Sequence, residues 1–211
     1  MPSARRYAWR VALGQLALFG HDAPRFERSF AGLRRIELGA GAWLDHLPGC
    51  VAGHQHLFDE LERSTRWRQD QREMYEKTVD VPRLYAVLPE DGPGHPLVEQ
   101  MRQALSQRYA EVFTRVSLAL YRDGRDSVAW HGDYVARNME TATVATLSLG
   151  APRRFLLRPK GGGRSLAFSL GSGDLLVMGG TCQRTFQHSV PKLVRAAPRI
   201  AVMFRPDWGD G

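Results

Sequence analysis

Apolar positions along the chain follow two different periods. In HLFDELERSTRWRQDQREMYEK (56–77), Leu57, Phe58 and Leu61 fall at helical spacing, and in HPLVEQMRQALSQRYAEVF (95–113), Leu97, Met101, Leu105 and Tyr109 step by four. Both read as amphipathic helices that lay one face against a sheet. Beyond about residue 112 the period shortens. Apolar or alternating runs at 116–121, 143–149, 154–158, 166–170, 174–178, 185–190 and 199–205 are separated by RDGRD, PKGGGR and GSGD. Strands so short and so regularly interrupted predict an antiparallel sandwich or barrel of the jelly-roll kind. The expected architecture is one α+β domain over 1–211: a double-stranded β-helix (jelly-roll) core in 113–211, with supporting N-terminal helices in 1–112.

That scaffold gives meaning to LALYRDGRDSVAWHGDYVARN (118–138). Side chains two apart on a strand share a face, so His131 and Asp133 are offered to the same ligand while Gly132 leaves the other face clear. His188, in TFQHSVPK, supplies a second imidazole from a distant strand. Two histidines and one carboxylate on one side of an iron leave positions open for a co-substrate and O2, the donor set of non-haem Fe(II) oxygenases. The remaining histidines, His21, His46, His54, His56 and His95, lie in the N-terminal half without such a partner. In RIAVMFR the same alternation puts Arg199, Ala201, Met203 and Arg205 on one face and Ile200, Val202 and Phe204 on the other. Guanidinium groups directed into a sheet interior require anions, either internal carboxylates such as Asp133 or Asp174 or a bound dicarboxylate. About 20 Å separates positions six apart on an extended strand, so the two arginines serve different anions.

Composition narrows the partners. With 211 residues, 43% hydrophobic and 24% charged, the chain has the makeup of one soluble globular domain. VALGQLALFG (11–20) is too short and glycine-broken to cross a bilayer, so the expected protein is cytoplasmic, without membrane contact, and monomeric. Cys50 and Cys182 have no metal-binding spacing and read as reduced thiols. Net charge is +7 and lysine occurs only at 77, 160 and 192, so the positive charge is almost wholly arginine. Arginine's planar fork suits phosphates and bases, which makes nucleic acid the first partner to consider; a solvated basic face is the alternative. PKGGGR lacks the Gly-Lys-Ser/Thr end of a phosphate loop and reads as a hairpin turn.

Five blocks taken together carry a resemblance: VPRL (81–84), LYRDGRDSVAWHGD (120–133), VATLSLGAPRRFLLRPK (144–160), GSGDLLVMGGTCQRTFQHSVPK (171–192) and PRIAVMFRP (198–206). In this order they resemble the AlkB-like Fe(II)/2-oxoglutarate-dependent dioxygenases that remove alkyl groups from nucleic-acid bases. The resemblance implies iron held by His131, Asp133 and His188, and 2-oxoglutarate held by Tyr121, Arg199 and Arg205, with Arg199 on the distal carboxylate and Arg205 orienting Asp133. It implies oxidative demethylation of N-alkylated DNA or RNA bases with Fe(II), O2 and 2-oxoglutarate, releasing formaldehyde, succinate and CO2. It further implies a nucleotide-recognition lid within 1–112, where Trp67 and Tyr75 stand among Arg63, Arg66, Arg68 and Arg72, and substrate contacts from Arg83, Tyr134 and Arg158. A 2-oxoglutarate oxygenase of a small molecule or protein, or a non-catalytic nucleic-acid binder, are the competing expectations. The chain departs from the family pattern at Ala119, Ala201 and Met203, where polar residues are usual, and in YVARN (134–138), which carries no acidic residue after the His-x-Asp motif.

Overall fold

A computed structural model describes the backbone of residues 23–74, 77–133 and 139–207, and side chains over the same ranges apart from 70–80. The strands are β1 (Arg25–Phe26), β2 (Arg34–Gly39), β3 (Ala42–Leu47), β4 (Val51–Ala52), β5 (Arg68–Met74), β6 (Lys77–Leu88), β7 (Phe113–Tyr121), β8 (Val128–His131), β9 (Val144–Gly150), β10 (Arg153–Pro159), β11 (Leu166–Leu170), β12 (Asp174–Gly180), β13 (Phe186–Val190) and β14 (Arg199–Pro206). Three helices are described, α1 (His54–Ser64), α2 (Pro96–Tyr109) and the single turn α3 (Cys182–Thr185). Eight strands form a large sheet in the order β2-β3-β12-β9-β14-β7-β6-β5, four form a small sheet in the order β11-β10-β13-β8, and β1 pairs with β4. Every pairing is antiparallel.

Burial follows the sequence alternation. β9 is buried at six consecutive positions, and β12 likewise, as strands in mid-sheet with both faces covered must be. On one face of the large sheet, Leu118, Leu147, Val202 and Phe204 join Leu57 and Leu61 of α1 and Leu97, Met101 and Leu105 of α2 in the larger core. Each such buried side chain contributes roughly 1.5–3 kcal/mol of transfer free energy. On the other face Tyr121, Val144, Leu176 and Met178 meet Phe155 and Leu157 of the small sheet in a second cluster. The two edge strands of the large sheet, β2 (RRIELG) and β5 (RQDQREM), are dominated by charged and polar residues, which discourages pairing with another chain.

The N-terminal half is less helical than its apolar spacing suggested. The run 56–77 stays helical only to Ser64; Thr65 is extended, and the chain turns into β5. After Leu61 no apolar stripe continues, so nothing would bury one side of a longer helix. With β2, β3, β5 and β6, this half supplies four strands of the large sheet, so 1–112 is part of the sandwich as well as its support. The seven expected C-terminal runs each become a strand, with β11 at 166–170 and PKGGGR joining the antiparallel pair β10 and β11, and β8 is an additional strand between the first two. GSGD carries the chain from the small sheet to the large one, where Asp174 accepts hydrogen bonds from the backbone N–H of Gly49 and Gly171, at 2.9 and 2.8 Å.

Candidate active site

Two strands of the small sheet set the centre. β8 lies at its edge against β13, in a register that puts His131 directly opposite His188. Their ring centroids are 4.2 Å apart. β8 ends at His131, and Asp133 reaches the same side from just beyond it. The ligand atoms of His131, Asp133 and His188 all lie within 4.8 Å of one another, the only such group of three among the described residues. Gly132 is dictated by close approach: a Cβ there would sit 2.9 Å from the carbonyl oxygen of Gln183.

The protonation states suit metal binding. His131 Nδ1 lies 2.9 Å from the carbonyl oxygen of Ala129, which can only accept, so Nδ1 carries the proton and Nε2 keeps its lone pair. Burial lowers the pKa of His131, against the pull of that hydrogen bond. Burial, then the neighbouring His131, pushes His188 down to about 3, and Phe155 stacks on its ring at 5.4 Å. Burial, the largest influence, would raise the Asp133 carboxyl, but Arg205 together with the two neighbouring imidazoles outweighs it and holds Asp133 at about 2. Arg205 Nε donates to Asp133 Oδ2 at 2.7 Å and Nη1 to Ser117 Oγ at 2.8 Å. Two neutral imidazoles and one ionised carboxylate are the deprotonated donor set Fe(II) needs, and these residues fit that ion.

This electrostatics has a consequence for stability. His188 stays neutral in the folded chain while the unfolded chain takes up a proton near its ordinary value of 6.5, so its depressed pKa leaves stability intact above that pH. Below it, stability is lost by up to about 1.4 kcal/mol per pH unit, down to the folded pKa near 3. The Asp133–Arg205 pair acts in the same direction at lower pH, from the ordinary carboxyl value of 3.8 to about 2. Urea midpoints of metal-free protein should therefore hold steady through the neutral range and fall once the pH drops under 6.5. A midpoint indifferent to that drop would contradict a neutral, buried His188.

Arg199 is the second feature. It is 2% exposed, donates from Nε to Ser148 Oγ at 3.0 Å and lies 5.2 Å over the Tyr121 ring. Arg153, equally buried, lies 5.4 Å from that ring and spends its N–H groups on the carbonyls of Asp123, Asp126 and Pro191. No carboxylate pairs with Arg199 among the described residues, and burial lowers its pKa. A buried guanidinium so arranged can receive an anion at its remaining N–H groups.

Both features open on one cavity of about 840 Å³. Its lining includes the three ligand residues with Tyr121, Arg199 and Arg205, and apolar walls from Val128, Val144, Phe155, Met178 and Val190. Ala119 and Ala201 face each other across the β7–β14 pairing and line it too, so the positions that depart from the family pattern leave open volume in its floor. Arg83 lines the cavity as expected of a substrate contact, joined by Arg115 and Lys160.

Other expected contacts fall elsewhere. Trp67 does not line the cavity; it packs against the larger core and donates its indole N–H to the Glu62 carbonyl at 3.0 Å, because the chain turns away from α1 there. Three of the nearby arginines are engaged locally, Arg63 with the Asp59 carbonyl, Arg66 with the Glu90 carbonyl and Arg68 with Asp91; the Arg72 side chain lies outside the described ones. Arg158 also lies outside the lining: its guanidinium sits 4.1 Å over Trp130 and donates to Gln187. Tyr75 and Tyr134 lie outside the described residues. Of the histidines set apart from the metal donors, His56 and His95 flank the Glu60 carboxylate at 3.0 and 2.9 Å. Ser117, Ser148, Phe155, Lys160 and Gln183 were not anticipated; only register places them beside the site.

The sequence of this chain matches the model of the 2OG-Fe(II) oxygenase superfamily over residues 50–205. It is 31% identical over 176 residues to alpha-ketoglutarate-dependent dioxygenase alkB homolog 3 of Bos taurus, covering 73% of this chain and 62% of that protein. The Homo sapiens protein of that name is 29% identical over the same coverage, and the DNA oxidative demethylase ALKBH2 of Homo sapiens is 26% identical over 71% of this chain and 67% of its own length. The chain thus spans about 62% of the length of the first of these curated relatives. Among solved structures, an oxidoreductase of the 2OG-Fe(II) oxygenase family from Burkholderia pseudomallei superposes with a TM-score of 0.55 at 16% identity, covering 80% of this chain and 86% of the other. The structure of OsALKBH1 superposes at 0.52, also at 16% identity, covering 82% and 100%. At that identity the superpositions speak for the jelly-roll fold alone. With the family model matched over most of its length and the His-Asp-His donor set in place, the chain belongs to the 2OG-Fe(II) oxygenase superfamily and is an AlkB-like member of it.

Proposed function

We propose that this protein oxidatively demethylates N-alkylated bases in nucleic acid, with Fe(II), O2 and 2-oxoglutarate. The observation that supports this most is the cavity: a three-donor metal centre and a buried anion site open on a space whose lining also carries Arg83, Arg115 and Lys160. His131, Asp133 and His188 would hold the iron, and Arg199, Ser148 and the Tyr121 ring would receive the distal carboxylate of the co-substrate. When bound, the iron would let O2 act as the oxidant, one oxygen atom going to 2-oxoglutarate, which leaves as succinate and CO2, and the other to the N-methyl group, which is then lost as formaldehyde. The chain's own task is placement. Arg205 fixes the Asp133 carboxylate, the neutral imidazoles stay unprotonated, and the apolar walls shield the reacting carbon from water. Arg83, Arg115 and Lys160 would meet phosphates, which carry affinity without sequence preference.

The charge of the cavity bears on the lesion. With the Asp133–Arg205 pair set aside, the described carboxylate in the lining is the exposed Asp207, against four cationic side chains, Arg83, Arg115, Lys160 and Arg199. YVARN adds no acid. A cationic base such as 1-methyladenine or 3-methylcytosine therefore gains little here, and neutral N-methylated bases should be used at least as well. Single strands should serve at least as well as duplex, because flipping a base out of a duplex costs a few kcal/mol and the described cavity lining offers no evident apolar wedge to offset that cost. The test is anaerobic reconstitution with Fe(II) and 2-oxoglutarate, followed by formaldehyde and succinate measurement on matched oligonucleotides, single- and double-stranded, DNA and RNA, carrying neutral or cationic lesions. Turnover confined to cationic lesions or to duplex would overturn these preferences, and no turnover on any oligonucleotide would overturn the proposal itself.

A further inference from the structure

We infer that Gln183 is a positioning residue of the metal centre, holding the backbone of Asp133 in its ligating position. Gln183 is 1% exposed, and its Oε1 accepts the backbone N–H of Asp133 at 3.2 Å. Its Nε2 lies 3.9 Å from the Met178 sulfur. The orientation of the carboxamide is forced, since a flipped group would set its NH2 against an N–H that can only donate.

The location explains what such a bond achieves. Asp133 lies beyond the end of β8 and has left the sheet's hydrogen-bonding ladder. Its carboxylate is tethered by Arg205 of β14, which fixes the far end of the side chain and not the backbone from which it swings. Gln183 supplies that second tether from α3, the turn that leads directly into β13 and its ligand His188. Gly132 closes the arrangement by allowing the His-Gly-Asp segment to lie flat against the Gln183 carbonyl. One helical turn thus holds both ligand-bearing segments in a fixed relation. Bonds of this kind, one step removed from the metal, typically contribute 10–100-fold in metal affinity.

The inference rests on the metal centre and not on the identity of the substrate, so its test is metal binding by the whole chain. Co(II) is titrated anaerobically into metal-free protein and followed by its visible absorption. Gln183→Met keeps the length of the side chain and removes the acceptor; it should bind Co(II) about 10–100-fold more weakly than wild type. Gln183→Glu restores an acceptor oxygen and should recover affinity to within a few-fold of wild type. Wild-type affinity in Gln183→Met, or equal loss in both variants, would overturn the inference. Should Gln183→Met fail to fold, hydrogen exchange of the Asp133 amide in metal-free wild type decides the matter: slow exchange supports the tether, and exchange at the rate of open coil rules it out. Failure of the nucleic-acid reading would leave each of these outcomes unchanged.

Discussion

Asp133→Ala should abolish both metal retention and turnover while leaving a folded protein that is less stable by about 3 kcal/mol, the lower end for breaking a buried ion pair. The two losses have different origins. Metal is lost because two imidazoles alone cannot replace a three-donor face, and His131→Ala and His188→Ala should lose it equally. Stability is lost because Arg205 keeps its charge, 20% exposed, beside neutral groups such as Ser117 Oγ, the Met203 sulfur and Tyr85. The cost is a fraction of the 5–15 kcal/mol that a domain of this kind has, so the fold persists. Asp133→Asn separates the two effects. It keeps an oxygen for the Arg205 N–H groups and loses the anionic ligand, so metal and activity should disappear with a smaller drop in stability. Iron content, succinate formation and the urea midpoint, measured on the same preparations, check all of this. An Asp133→Ala protein with wild-type turnover would remove Asp133 from the metal centre.

What could be read from the sequence alone depended on how locally each feature is encoded. Most strands from 113 onward were legible because they bury a face, whereas β8, with no fully buried residue, was not among the expected runs; alternation along RIAVMFR separates Ile200, Val202 and Phe204, which meet the helices, from Arg199, Ala201, Met203 and Arg205, which line the cavity. The metal ligands were legible for the same reason: two residues with a one-residue gap must share a side, and a third donor was needed. β2, β3, β5 and β6 were not legible as strands. Two of them are charged sheet edges with no apolar alternation, and β6 follows a stretch that reads as part of a helix although its apolar stripe ends at Leu61. Trp67 illustrates the limit of analogy, since its place between arginines suggested a lid while its backbone turns it into the core. Gln183, Ser148 and Ser117 left no signal in the sequence; each matters through a partner 50 or more residues away, brought near by sheet pairing for the two serines and by the turn of α3 against the end of β8 for Gln183.

The Arg199 site yields the sharpest contrast between stability and function. Arg199→Ala should raise the 2-oxoglutarate concentration required by two to three decades or more, the equivalent of losing about 3–5 kcal/mol from one end of a buried charge-assisted pair. The same substitution should leave the co-substrate-free protein as stable as wild type or more so, which is the reverse of the Asp133 case. The reason lies in the pairing. Arg205 meets its anion inside the chain, whereas Arg199 meets the neutral Ser148 Oγ, the ring and hydroxyl of Tyr121 and the like charge of Arg153. Removing an uncompensated buried cation relieves a desolvation penalty, which offsets the packing lost with the side chain. Arg199→Lys should recover little of the affinity, since an ammonium cannot make the two parallel bonds that a guanidinium makes to a carboxylate. Titration of 2-oxoglutarate into Fe(II)- or Co(II)-loaded protein, beside thermal melting with and without the co-substrate, measures both halves. Nucleic-acid affinity, measured in parallel, should stay near wild type; if it fell as far as co-substrate affinity, Arg199 would belong to the substrate surface instead.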